Sequence, residues 1–157
     1  MSKEFRHFQR IVKIHTDTSD YYLRCAEITT EDDLVLLFND LSQNRINMAN
    51  SLLSALPDDE RRGFWRMREA LSYLQRIWYN VKVALIVNDR SKILKYCQKA
   101  EWDALQEYDK ALRRTNSPSE ALLRHLTAHQ QMLRASIERI ENMPKKKSTL
   151  QQNRMAA

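Results

Sequence analysis

LSQNRINMANSL, residues 41 to 52, decides how this chain is read. Leu41, Met48 and Leu52 fall on the 3- and 4-residue rhythm by which an α-helix turns one apolar stripe toward a partner. Arg45 stands on the same stripe, where an aliphatic residue belongs. The rhythm predicts a helix packed in a bundle. The interruption predicts something polar inside it.

The same rhythm extends in both directions. Start and stop signals divide the chain into helices near 3–28, 30–55, 59–87, 90–115 and 118–143. Thr29 and Thr30 precede the acids Glu31, Asp32 and Asp33, and Pro57 precedes Asp58, Asp59 and Glu60, acids that suit the positive end of a helix dipole. Asn88 and Asp89 break the next pattern. Ser117, Pro118 and Glu120 form a capping signal, and Pro144 closes the last helix. One glycine, Gly63, and three prolines leave no material for hairpins or a phosphate-binding loop, so the chain reads as all-α. At 157 residues it is one domain, a helical bundle over 1–143 followed by a basic, disordered tail over 144–157.

Composition narrows the function classes. The formal charge of +6 owes four charges to Lys145, Lys146, Lys147 and Arg154, so the 26 basic residues fall to 22 before the tail, against 20 acids. A nearly balanced body is not a dedicated nucleic-acid face, and only weak adhesion through the tail is expected. No membrane span is expected, because the most apolar run, around residues 81–87, is interrupted by Lys82 and is far too short. The chain opens without a basic-then-apolar leader. With neither leader nor span a cytoplasmic protein is expected, and Cys25 and Cys97, outside any ligand or redox spacing, read as buried, reduced thiols.

Lengths then set the topology. A helix over 59–87 can return the chain along the whole bundle, joining two antiparallel hairpins as in ferritin-like bundles. The first, second, fourth and fifth helices form the core; the third, with Phe64, Met67, Leu71, Leu74, Trp78, Val81 and Leu85, is the crossover. Four core stripes carry polar residues near their midpoints: His15, Arg45, Glu101, and either His129 or Gln130. Midpoints meet in an antiparallel bundle. Arg45 either pairs with Glu101, with the imidazoles and the amide satisfying the remaining groups, or snorkels from a seam edge to water.

Through FNDLSQNRINMANSL, the crossover with Trp78, and CQKAEWDALQEYDKAL, the chain from about Ile11 to Ile140 resembles a bacterial family of uncharacterised ferritin-like proteins, a domain of unknown function. The resemblance implies a four-helix bundle with a long fifth crossover helix. Laid on the di-iron pattern of Glu-x-x-His, it puts Arg45 and Met48 on one ligand pair and brings Arg134 and Ile137 near the other, with Glu101 the one carboxylate retained. A lone carboxylate among cations repels Fe²⁺ or Mn²⁺, so neither metal nor other cofactor is expected. His125 and His129 share a face, but a histidine pair without a third ligand is not a zinc site.

The crossover is apolar on a second stripe, Tyr79, Val83 and Ile86. Either it sinks between two core helices, or that stripe is a self-association surface for a homodimer or another protein partner. With hydrolase, nucleotide and metalloprotease motifs absent, the expectation is a non-catalytic interaction or stress-associated protein. The competing expectation is a metal- or oxidant-handling protein built on Glu101, His15 and His129.

Overall fold

The computed structural model describes residues 3–64, 71–115 and 119–146, and these are helical without strands. Six helices follow in order: α1 (Lys3–Ile28), α2 (Asp32–Ala55), α3 (Asp58–Phe64), α4 (Ser72–Ile86), α5 (Arg90–Arg114) and α6 (Glu120–Asn142). The crossover is therefore not one helix. Leu71 is extended, with φ −80° and ψ 103°, and α4 begins after it. An apolar period fixes which face is sticky, not whether the backbone continues, and the 3- and 4-residue rhythm ran on through Leu71 and Leu74. The expected stripe position Met67 lies outside the described residues.

Three caps differ from expectation or refine it. The residue before α2 is Glu31, not a threonine, and its carboxylate turns away from the helix to Arg90. Asp89 caps α5 by accepting from the Lys92 N–H at 3.2 Å, and Asn88 makes the preceding turn at φ +55°, a conformation its short polar side chain tolerates. Ser119 caps α6 by accepting from the Leu122 N–H at 3.2 Å; Ser117 and Pro118 lie outside the described residues.

Cross-helix contacts give the direction of each element. Ser19 on α1 and Ser42 on α2 each donate a hydroxyl to the other's carbonyl, at 3.1 and 3.0 Å, and Gln9 reaches Glu60 beyond the far end of α2, so α1 and α2 are antiparallel. Tyr108 meets His129, and Arg90 at the start of α5 meets the Pro144 carbonyl just past α6, so α5 and α6 are antiparallel. Arg10 approaches Glu107 while Tyr22 bonds Glu101, so α1 and α5 also run oppositely. α1 packs on α2 and α5, and α6 packs on the same two, so the four long helices close a ring, with α4 against α1 and α5.

Two apolar clusters fill that ring. One holds Tyr22, Leu34, Phe38, Leu41, Trp78, Val81, Leu94 and Ile140. The other holds Phe8, Val12, Met48, Leu52, Leu105, Leu122, Leu126, Leu133 and Ile137. Leu41 belongs to the first and Met48 to the second, so the boundary between clusters passes through Arg45.

Candidate functional site: a buried polar layer

His15, Arg45, Glu101 and His129 all lie at that boundary, none more than 3% exposed. Arg45 Nη2 lies 3.0 Å from Glu101 Oε2 and donates to the Ala100 carbonyl at 3.3 Å. The ion pair is a charge contact rather than an aligned hydrogen bond: Arg45 Nε and Glu101 Oε2 lack hydrogen-bond partners among the described residues. Burial is the largest influence and works against the Arg45 charge, but the facing Glu101 carboxylate together with Tyr22 and Tyr108 more than offsets it, and the guanidinium stays protonated.

The direction of every proton in the layer follows from one fact. A guanidinium has donors and no acceptor. Arg45 Nη1 lies 3.1 Å from His15 Nδ1, so that imidazole nitrogen offers a lone pair, and the ring is neutral with its proton on Nε2. His15 Nε2 then donates to the Tyr108 hydroxyl at 2.6 Å. The hydroxyl in turn donates a hydrogen bond to His129 Nδ1 at 2.8 Å. On the opposite side, the Tyr22 hydroxyl donates to Glu101 Oε1 at 2.7 Å. The result is a continuous chain, Tyr22–Glu101–Arg45–His15–Tyr108–His129, contributed by four helices.

Electrostatics agrees with these assignments. Burial, then the Arg45 charge and His129, holds His15 well below the ordinary imidazole value. Burial, then His125, lowers His129 to about 4. Tyr22, by burial and then by Glu101, and Tyr108, by burial, are both pushed well above the ordinary phenol value. At neutral pH the layer therefore carries one cation, one carboxylate facing it and neutral groups around them.

The layer does not contain everything the sequence suggested. Gln130 points elsewhere and donates to Asp109 at 2.9 Å. Arg134 is exposed, because the buried face of α6 runs through His129, Leu133, Ser136, Ile137 and Ile140. Met48 and Ile137 are buried as ordinary apolar side chains. Tyr79 and Ile86 are about 70% exposed and Val83 about 40%, so the crossover's second stripe is not internal. Cys25 and Cys97 are buried and unpaired; burial pushes the Cys25 thiol to about 12 and Cys97 well above its usual value.

The sequence reading of the polar layer left out Tyr22 and Tyr108, which complete the network. The signal was there: each lies seven residues after a polar member of its own helix, His15 and Glu101. It also missed a second buried arginine. Arg90, at the start of α5, donates to Glu31 at 2.6 Å, to both Asp33 oxygens at 3.0 and 2.5 Å, and through Nε to the Pro144 carbonyl at 2.6 Å. A cation in the first turn of a helix opposes the dipole, and that was the available hint. Pro144, expected to open a free tail, is thereby held to the bundle; residues 147–157 lie outside the described residues.

Fold and site together define an all-helical protein with a charged, hydrogen-bonded layer sealed between two apolar clusters. The chain belongs to the family described as Domain of unknown function (DUF2383), whose model matches residues 3–114. The match spans α1 to α5 and stops before α6, the helix that supplies His129. No curated protein and no solved structure matches the chain. Among the described residues no helix is long and apolar enough to cross a membrane, and no group of three or more His, Cys, Asp or Glu is placed to hold a metal ion.

Proposed function

We propose that this chain is a ferritin-like bundle of the cytoplasm without a metal centre, working as an interaction protein rather than a catalyst. Two antiparallel hairpins joined by a long crossover, α3 and α4, support the ferritin-like reading. The Arg45 guanidinium, 3.0 Å from Glu101 in a sealed interior, is the observation that carries the rest.

A di-metal carboxylate centre needs several carboxylates and free imidazole nitrogens facing one another. These residues do not fit one. Glu101 is the single carboxylate of the layer and a cation already faces it. His15 has both ring nitrogens engaged, and His129 Nδ1 accepts from Tyr108. Met48 and Ile137 offer a soft thioether and no donor at all, and Arg134 faces outward. The layer instead serves specificity: a buried charge pair with directional bonds to four helices admits one register between them.

Metal analysis of untagged protein, produced in medium supplemented with iron and manganese, tests this reading. The expected result is metal far below one equivalent per chain and no rise in thermal midpoint on adding Fe²⁺ or Mn²⁺. Stoichiometric metal that disappears in Glu101→Gln would overturn it in favour of a metal- or oxidant-handling centre on Glu101, His15 and His129.

A further inference from the structure

The outward surface of α4 and the neighbouring strip of α1 carry complementary charge without using it. α4 has two charged residues, Arg76 and Lys82, both exposed and flanking the exposed apolar stripe Tyr79, Val83 and Ile86. Beside it, α1 exposes Asp20 and Glu27. Among the described residues none of these four makes an ion pair. The other charges of this strip are engaged: Asp17 pairs with Lys13 at 3.1 Å, and Arg24 lies over its own Tyr21 ring.

The two helices run in the same direction. Tyr21 stacks on Trp78 at 5.2 Å, and Ile28 and Lys82 line the same groove further along. With Tyr21 level with Trp78, a rise of 1.5 Å per residue puts Asp20 within about 2 Å of the height of Arg76, and Glu27 within about 3 Å of Lys82. The acids of one strip therefore match the cations of the other in height as well as sign.

We infer that this surface binds a second copy of the chain about a two-fold axis parallel to the helices. The α4 of each protomer then lies on the α1 strip of its partner. Tyr79, Val83 and Ile86 are covered, and the pairs Arg76 with Asp20 and Lys82 with Glu27 form twice, once on each side of the axis. The inference deepens the reading of the chain as an interaction protein by naming its partner.

Sedimentation equilibrium on the full chain tests it with two charge-reversed variants, D20K/E27K and R76E/K82E. All four positions are exposed, and circular dichroism checks that both variants fold. Wild type is expected to be dimeric, each variant alone to dimerise at least about tenfold more weakly, and an equimolar mixture of the two to regain dimer, because each then meets the opposite charge. A monomeric wild type, reversals without effect, or a mixture no tighter than its components would each overturn the inference. A metal-loaded dimer would defeat the metal-free reading and leave this one standing; a metal-free monomer would do the reverse.

Discussion

Among the described residues two arginines are buried, and they are held in different ways. Arg90, at the end of the bundle, has a two-oxygen grip on Asp33, a bond to Glu31 and a third to the Pro144 carbonyl. Arg45, at mid-height, has one carboxylate, met off-axis, one imidazole and one carbonyl, with its Nε unpartnered among the described residues. Asp33 is a third exposed, so the end clamp is open to solvent on one side, whereas the central residues are fully buried. The end site gains stability from well-formed bonds; the central site is expected to contribute little net stability and to specify which helices meet in which register.

The largest effect that can break this comparison is at the centre. Glu101→Leu leaves a guanidinium alone in an apolar interior and should cost roughly 3–5 kcal/mol in denaturant unfolding. Arg45→Met in the same chain should return most of that loss, because replacing both partners with apolar groups removes the buried charge altogether. Additive effects of the two substitutions would mean that the pair is not a unit.

At the end, Arg90→Met should cost roughly 2–3 kcal/mol, since Asp33 loses its two-oxygen partner and the turn after α6 loses its tie at the Pro144 carbonyl. Here a second substitution should not rescue fully: Glu31→Leu removes one of the facing acids but leaves Asp33 and the Pro144 carbonyl without the donor they share. Amide exchange at the start of α2 and the end of α6 should quicken in Arg90→Met, while exchange beside Arg45 stays slow. Uniformly faster exchange would show that the two sites are one cooperative element.

Tyr108→Phe is a milder probe of the centre. It removes the hydroxyl between two imidazoles, leaving His15 Nε2–H without an acceptor and His129 Nδ1 without a donor, and should cost roughly 1–2 kcal/mol.

Acid provides the gentlest separation near neutrality. His15 and His129 have lowered values in the folded chain, so the unfolded chain takes up their protons first, near pH 6.5, and stability falls as pH drops below that. The His129 share is lost between about 6.5 and about 4 and then levels off, and the His15 share is lost in the same direction. The Asp33 carboxyl is also lowered, chiefly by its hydrogen bonds to Arg90, so its share is present above its usual value of 3.8 and is lost as pH falls below it. Unfolding measured at pH 7, 5 and 3 should therefore show the centre weakening first and the clamp later. In Arg90→Met the loss between pH 7 and 5 should persist while the additional loss toward pH 3 shrinks.

The two arginines also show what a sequence reveals. Arg45 was visible because it interrupts a stripe within one helix, and His15 and Glu101 for the same reason. Their spacing to Tyr22 and Tyr108 repeats every seven residues, yet tyrosine is at home on an apolar stripe and gave no interruption to notice. Gln130 and His129 are adjacent, and a 3.6-residue period cannot choose between neighbours near the edge of a stripe; the packing of α6 on α5 chooses. Arg90 was hidden because its partners come from the start of α2 and the turn after α6, and no local pattern joins three chain segments. The division of the crossover at Leu71 was hidden by the opposite effect, a local pattern that continued through a break in the backbone.

A long-range ¹H–¹⁵N spectrum of the histidine side chains, recorded at neutral pH with and without Mn²⁺, reads the centre directly. A guanidinium facing Glu101 and donating to His15 requires a neutral His15 with its proton on Nε2, an unprotonated Nδ1 on both His15 and His129, and signals that the paramagnetic ion leaves sharp. Broadening of His15 and His129 by one equivalent of Mn²⁺, or a His15 protonated at Nδ1, would contradict the placement of Arg45 at the heart of this fold.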